Sequence, residues 1–96
     1  MLKLVTRLVP PHGDKSWSFQ AIHLKPEQRT QVLVALKDPQ VEPCKPFKQG
    51  DSGNWLMIEF WTANLEAIRV AASHLAGLLS SELKEGDFTR AEVLEK

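Results

Sequence analysis

The sequence predicts an α+β fold: a two-layer sandwich with an antiparallel sheet of three to four strands and two main helices on one face. Three observations carry this reading. Apolar side chains alternate with period two over 2–9, 17–24 and 55–62. They recur with helical spacing over 26–37 and 65–83. Clusters of Pro, Gly, Asn and Asp separate these runs, as turns require. The resulting order is β-β-α-β-β-α with a short C-terminal helix, read as a single domain over 1–96.

Each element has a local cause. In 2–9, Leu2, Leu4 and Leu8 share one face while Lys3 and Arg7 point the other way. Pro10-Pro11-His12-Gly13-Asp14 forces the chain to turn, because proline fixes φ and glycine admits positive φ. In 17–24, Trp17, Phe19 and Ala21 line one side and Ile22 and Leu24 the other, so the two strands can pair as a hairpin. Pro26 opens the first helix, where its missing N–H has no partner to lose, and Glu27 favours the positive end of the helix dipole. Val32, Leu33, Ala35 and Leu36 supply the buried stripe, and Asp38-Pro39 ends the helix.

Segment 40–49 reads as an irregular edge strand, since Pro43 and Pro46 cannot donate ladder hydrogen bonds. Gly50-Asp51-Ser52-Gly53-Asn54 reads as a turn. In 55–62, Leu56, Ile58 and Phe60 form one face and Trp55, Met57 and Trp61 the other, with Glu59 the one charged residue. Both faces therefore look partly covered, which places this strand centrally. Asn64 is the expected N-cap of the long helix. Leu65, Ile68, Ala72, Leu75, Leu79 and Leu83 form its apolar stripe, widened by Ala71 and Leu78. Glu85-Gly86 is read as its end. Thr89-x-x-Glu92 is a capping box with Phe88 and Val93 as a hydrophobic staple, opening a helix over 90–95.

Composition narrows the function classes. The 96 residues carry 12 Lys+Arg and 12 Asp+Glu, with 43% hydrophobic residues, which excludes a disordered chain. The longest unbroken apolar run is Val32 to Leu36, far short of the ~20 residues of a membrane span. Lys3 and Arg7 interrupt any secretory apolar core and no small-residue cleavage site follows. Cys44 is the single cysteine, so no intramolecular disulfide forms. The expected location is cytoplasmic. Residues 1–48 hold eight Lys/Arg and four Asp/Glu, and residues 49–96 the reverse, so the neutral total joins halves of +4 and −4. Segregated on the fold, those halves would give complementary patches for docking; interleaved, they would mean nothing.

No catalytic constellation emerges. His12, His23 and His74 have no metal-ligand spacing with each other or with Cys44. His74 lies opposite the apolar stripe and reads as a solvated helix residue. Cys44 lacks a sequence-adjacent base, although Lys45 and Lys48 could lower its pKa. Gly50-Asp51-Ser52-Gly53 is a hairpin turn rather than a phosphate-binding loop, since Asp51 would repel phosphate and no Lys-Ser/Thr pair follows. No catalytic, cofactor-binding or metal residue is assigned, and no cofactor is implied.

What remains are interface candidates. Trp55, Met57 and Trp61 lie on a face that no predicted helix covers, and such a face marks a protein interface; Trp17, Phe19, Trp55 and Trp61 could instead form a platform for stacked bases. On the long helix Ser73, Gly77, Ser80 and Ser81, with Ala76 beside them, make a small-residue strip that admits close approach by another element. Arg69 borders the apolar stripe, either snorkelling or making an interface or phosphate contact. The expected function is a non-enzymatic protein-interaction module, a homodimer or scaffold subunit, with self-association or a protein partner and no membrane. The alternatives are a nucleic-acid module using the aromatic face and the basic N-terminal half, with RNA as partner, and a small-molecule site in loop 43–54 built from Cys44, Lys45 and Ser52.

One stretch carries a family resemblance. From Trp55 a strand runs directly into a helix that opens Leu65-Glu66-Ala67-Ile68-Arg69, followed by small residues and then leucines to Leu79. Residues 55–83 resemble the strand–helix end of the small dimerisation subunit of the KEOPS complex, and the helix 26–37, hairpin region 40–62 and helix 65–83 fit that family's order. The sequence departs from it at Ser73-His74, where the family has Ser or Asn followed by a bulky apolar residue, and in a longer N-terminal hairpin over 2–24. The resemblance implies a non-catalytic homodimeric scaffold that bridges catalytic partners and helps hold tRNA during threonylcarbamoyl-adenosine synthesis. It carries over one position of interest, Arg69.

Overall fold

The structure is a computed structural model that describes residues 3–94; Leu2 and Glu95, at the ends of two expected elements, lie outside them. Among the described residues the elements are β1 (Val5–Val9), β2 (Ser18–Ile22), α1 (Pro26–Ala35), a 3-10 turn (Glu42–Cys44), β3 (Phe47–Ser52), β4 (Trp55–Phe60), α2 (Leu65–Leu78), β5 (Leu83–Glu85) and α3 (Arg90–Leu94). The α+β sandwich is present, with α1 and α2 against one sheet face. The sheet has five strands in the order β3-β4-β2-β1-β5. It is mixed rather than wholly antiparallel, because β5 pairs parallel with β1 while the other pairs are antiparallel.

The fifth strand exists because α2 stops earlier than its apolar pattern suggests. Ser80 adopts a left-handed φ of 52°. Its N–H donates to Gly77 O at 3.0 Å, and Ser81 N–H donates to Ala76 O at 3.0 Å. This is a Schellman closure with serine where glycine is usual, so no glycine marks the helix end in the sequence. The chain then runs back along β1. Thr6, fully buried, fixes that return: its Oγ1 lies 2.9 Å from Ser81 Oγ and donates to Glu82 O at 3.0 Å. Leu83, expected in the helix, instead pairs with Thr6 in the sheet. Gly86, at φ 122°, follows β5 rather than α2.

The core lies between the sheet and the two main helices. Leu8, Phe19, Ala21, Leu56, Ile58 and Phe60 from the strands meet Val32, Ile68, Ala72 and Leu75 from the helices, all fully buried. Leu24 joins them although its alternation in 17–24 points it to the other face. His23, at φ 61°, breaks the extended backbone between Ile22 and Leu24 and resets the side. The expected turn at 50–54 shortens to Gly53-Asn54, since Asp51 and Ser52 still pair with Leu56 and Trp55. Gly53, at φ 60°, supplies the positive φ that a two-residue hairpin loop needs at its first position. Asn64 caps α2 as expected, its Oδ1 accepting Ala67 N–H at 3.1 Å. Leu78, by contrast, is exposed rather than part of the core.

Candidate interaction surface

The second sheet face is assembled row by row from the strand register. Lys48 on β3 lies beside Glu59 on β4, and Glu59 beside Ser18 on β2. The next row runs Gly50, Met57, Gln20, Arg7, Lys84 across all five strands. Trp55 pairs with Ser52 at the hairpin end. Thus period-two alternation in β4 buries Leu56, Ile58 and Phe60 and leaves Trp55, Met57 and Glu59 half-buried. Neither α1 nor α2 reaches this face.

Its two ends differ. At one end Trp61 follows β4 and is 58% exposed. It shares an open, mostly polar cleft with Asp14, Lys15, Ser16, Lys48 and Glu59. Ser16 N–H donates to Glu59 Oε2 at 2.9 Å and so fixes the floor of that cleft. At the other end Trp55 is tied down. Its indole N–H donates to Gln20 Oε1 at 3.1 Å, and its ring reaches over Gly50, where a Cβ would sit 4.0 Å from it. The C-terminal segment crosses this end: Phe88 and Val93 line a groove with Ile22, His23, Asn54 and Trp55.

That segment is fastened chiefly through Glu92, a role the sequence does not reveal. Its carboxylate pairs with Arg7 and its carbonyl lies 2.8 Å from His23 Nε2. The hydrogen bond from Thr89 N–H is the largest cause holding the Glu92 carboxyl below the usual carboxylate range; desolvation opposes it, and the hydrogen bond and charge of Arg7 add to it. Arg7, at 7% exposure, also faces the Phe88 ring with its guanidinium carbon 5.8 Å from the centroid, a cation–π contact. The capping box at Thr89 and the staple of Phe88 and Val93 were legible. Their docking partner Arg7 was not, because it lies 85 residues from Glu92 and no local pattern links them.

The remaining interface candidates sit elsewhere. Arg69, Ser73 and Gly77 are exposed on α2, on the far side of the sheet from Trp55, Met57 and Trp61. Arg69 Nε donates to Glu85 Oε1 at 2.7 Å, so its guanidinium is engaged by β5. Outside its chain neighbours and its own helix backbone, no described residue would lie within 4 Å of a Cβ at Gly77. Ala76 is buried, and Ser80 and Ser81 serve the helix end, so the small-residue strip is not continuous. His74 is not simply solvated: it is half-buried, with Nε2 2.7 Å from Asp38 Oδ2, bridging α2 to the turn that follows α1.

The other chemistry-bearing residues do not converge. Cys44 is fully buried and burial pushes its thiol pKa up, away from the reactive thiolate. Lys45 pairs with Glu42 at 2.8 Å. Ser52 lies at the far end of β3 from Cys44. Among the described residues no group of three or more His, Cys, Asp or Glu is placed to hold a metal ion, and no helix is long and apolar enough to cross a membrane. The charged halves interleave, since Arg7 pairs with Glu92 and Arg29 with Asp51 at 3.7 Å. A half-against-half patch is therefore not formed by these arginines.

Fold and surface together define an open-faced α+β sandwich with a mixed five-stranded sheet and an aromatic–polar outer face. No family model, curated protein or solved structure matches the chain.

Proposed function

We propose that the protein is a non-enzymatic interaction module that docks a second copy of itself through the open sheet face. The observation that carries the reading is Trp61, a large side chain 58% exposed on a face that neither main helix covers. Tryptophan held this way is the residue type most enriched among interface anchors. Lys15 and Lys48 share its cleft with Asp14 and Glu59, so the patch is mixed in sign and self-complementary. A two-fold contact needs this, because it sets one patch against its own copy. The half-buried Trp55 and Met57 extend the apolar part of the face. The narrower assignment, a scaffold subunit tied to tRNA modification, is proposed on the resemblance of residues 55–83. Its test is co-purification with a threonylcarbamoyl-transferring catalytic subunit.

Sedimentation over a concentration series tests the main reading. The wild type forms a dimer, and Trp61→Ala weakens it about ten-fold or more, the loss expected at an anchor. A wild type that stays monomeric at high micromolar concentration and captures no protein partner contradicts it. One observation favours a second reading: Lys15 and Lys48 flank an exposed indole, the pairing of charge and stacking that single-stranded nucleic acid uses. Salt-dependent binding of single-stranded RNA or DNA, lost in Trp61→Ala, would select it.

A further inference from the structure

The C-terminal segment is held to the sheet by few, mostly polar contacts. Gly86 N–H donates to Leu8 O at 2.9 Å as the last backbone hydrogen bond to the sheet among the described residues, and its φ of 122° turns the chain across the open face. Helix α3 is five residues long and buries none of them; Val93 and Leu94 stay more than half exposed. A helix this short has no independent stability. It is ordered by a reciprocal capping box, with Thr89 N–H donating to Glu92 Oε1 at 2.8 Å and Glu92 N–H to Thr89 Oγ1 at 3.1 Å. The other Glu92 oxygen makes the pair with Arg7. One carboxylate thus both shapes α3 and docks it.

Beneath the segment lies a surface built to be covered. Arg7 and Ile22 are each 7% exposed on the face that neither main helix reaches. His23 holds its left-handed φ of 61° there, a conformation that is strained for a non-glycine residue and that clusters at binding sites. Its Nε2 faces the Glu92 carbonyl, and its Nδ1 lies 3.3 Å from Asn54 Nδ2. The groove between segment and sheet has a volume of about 340 Å³ and is mainly apolar.

We propose that Phe88–Val93 is a displaceable, built-in occupant of a recognition groove, and that the external ligand is a short helical segment of a partner protein carrying an aromatic residue followed four positions later by a carboxylate. The chain's own segment supplies the argument for that chemistry: the Phe88 ring faces Arg7 and lines the groove with Ile22 and Trp55, and Glu92 meets Arg7. The inference rests on the reading of the open face as an interaction surface and adds how that surface is kept closed. A tethered occupant acts at an effective concentration of about millimolar. An external segment therefore binds weakly until the latch is loosened, and its apparent affinity rises in proportion to the open fraction.

The test uses the full chain and a synthetic peptide with the sequence of residues 86–96, followed by NMR at the Trp55 indole N–H and the Ile22 and His23 amides. Glu92→Ala protein is expected to bind the peptide about ten-fold tighter than wild type, and a peptide carrying Phe88→Ala to bind neither. Amide exchange at 87–94 should speed up in Glu92→Ala while β1, β2 and β4 keep wild-type protection, which shows that the segment opens without unfolding. The proposal is overturned if about 1 mM peptide leaves the Glu92→Ala spectrum unchanged, at the concentration the tether itself provides. It is equally overturned if 87–94 exchanges at the rate of the central strands. Recovery of wild-type Trp55 shifts in labelled Glu92→Ala protein on adding unlabelled Arg7→Ala protein, whose own segment keeps Glu92 but has lost its partner, would make a second copy's C-terminal segment the occupant, against an external ligand. The peptide arm reads the groove alone and the Trp61→Ala dimer reads the interaction surface alone, so either can fail without the other.

Discussion

The two faces of this sheet alternate along the same strands, yet they obey different rules. On the helix side Leu8, Phe19, Ala21, Leu56, Ile58 and Phe60 are all fully buried. On the outer side the interleaved positions hold Arg7, Gln20, Trp55, Met57 and Glu59, and among the described residues one nine-residue stretch from Gly86 to Leu94 covers part of them. The first face is where burial of apolar area stabilises the fold. The second carries polar latches and an exposed indole. On the proposed reading, stability and recognition are separated by a single step of period two.

Substitutions should break that comparison in a graded way. The largest effect belongs to Ile58→Ala or Phe60→Ala, each expected to cost about 3–4 kcal/mol in urea denaturation through lost transfer energy and a cavity. Met57→Ala, one position away on the outer face, should cost below about 1 kcal/mol. Next comes Thr6→Val, isosteric but without the hydroxyl. It removes the hydrogen bonds to Ser81 and Glu82 and should cost about 1–2 kcal/mol, with faster amide exchange at β5.

Acid should act on the outer face before the core. The Glu92 carboxyl titrates below its ordinary range in the folded chain, so its contribution is complete above the unfolded pKa of about 4.3. That contribution is lost as pH falls through the folded value. Exchange at 87–94 should therefore rise below about pH 4 while the central strands stay protected. A smaller change of opposite sign is expected at the helix end. Ser80→Gly relieves a left-handed residue and should stabilise by about 0.5–1 kcal/mol. Trp61→Ala should move stability least, within about 0.5 kcal/mol, while weakening association.

How much of this the sequence carries depends on whether the cause is local. Period-two and helical patterns lie within single segments, so the α+β class, the Asn64 cap and the burial of Leu56, Ile58 and Phe60 are legible. The fifth strand is not, because the α2 stop is made by Ser80 in a conformation that glycine usually marks. Leu24 is misplaced by the same kind of event, a positive φ at His23 that no glycine announces. At the surface the aromatic face is readable from β4 alone. The Arg7–Glu92 latch and the His74–Asp38 bridge join residues far apart in the chain, and they become visible only when the elements pack.

Sedimentation equilibrium of wild type and Trp61→Ala, paired with their urea transitions, separates association through the outer face from stability of the fold. A recognition face on the outer sheet gives a concentration-dependent wild-type dimer that Trp61→Ala weakens about ten-fold or more with the urea midpoint of the dissociated protein nearly unmoved. Equal association in both proteins, or loss of association only in step with loss of stability, would contradict a face set aside for recognition.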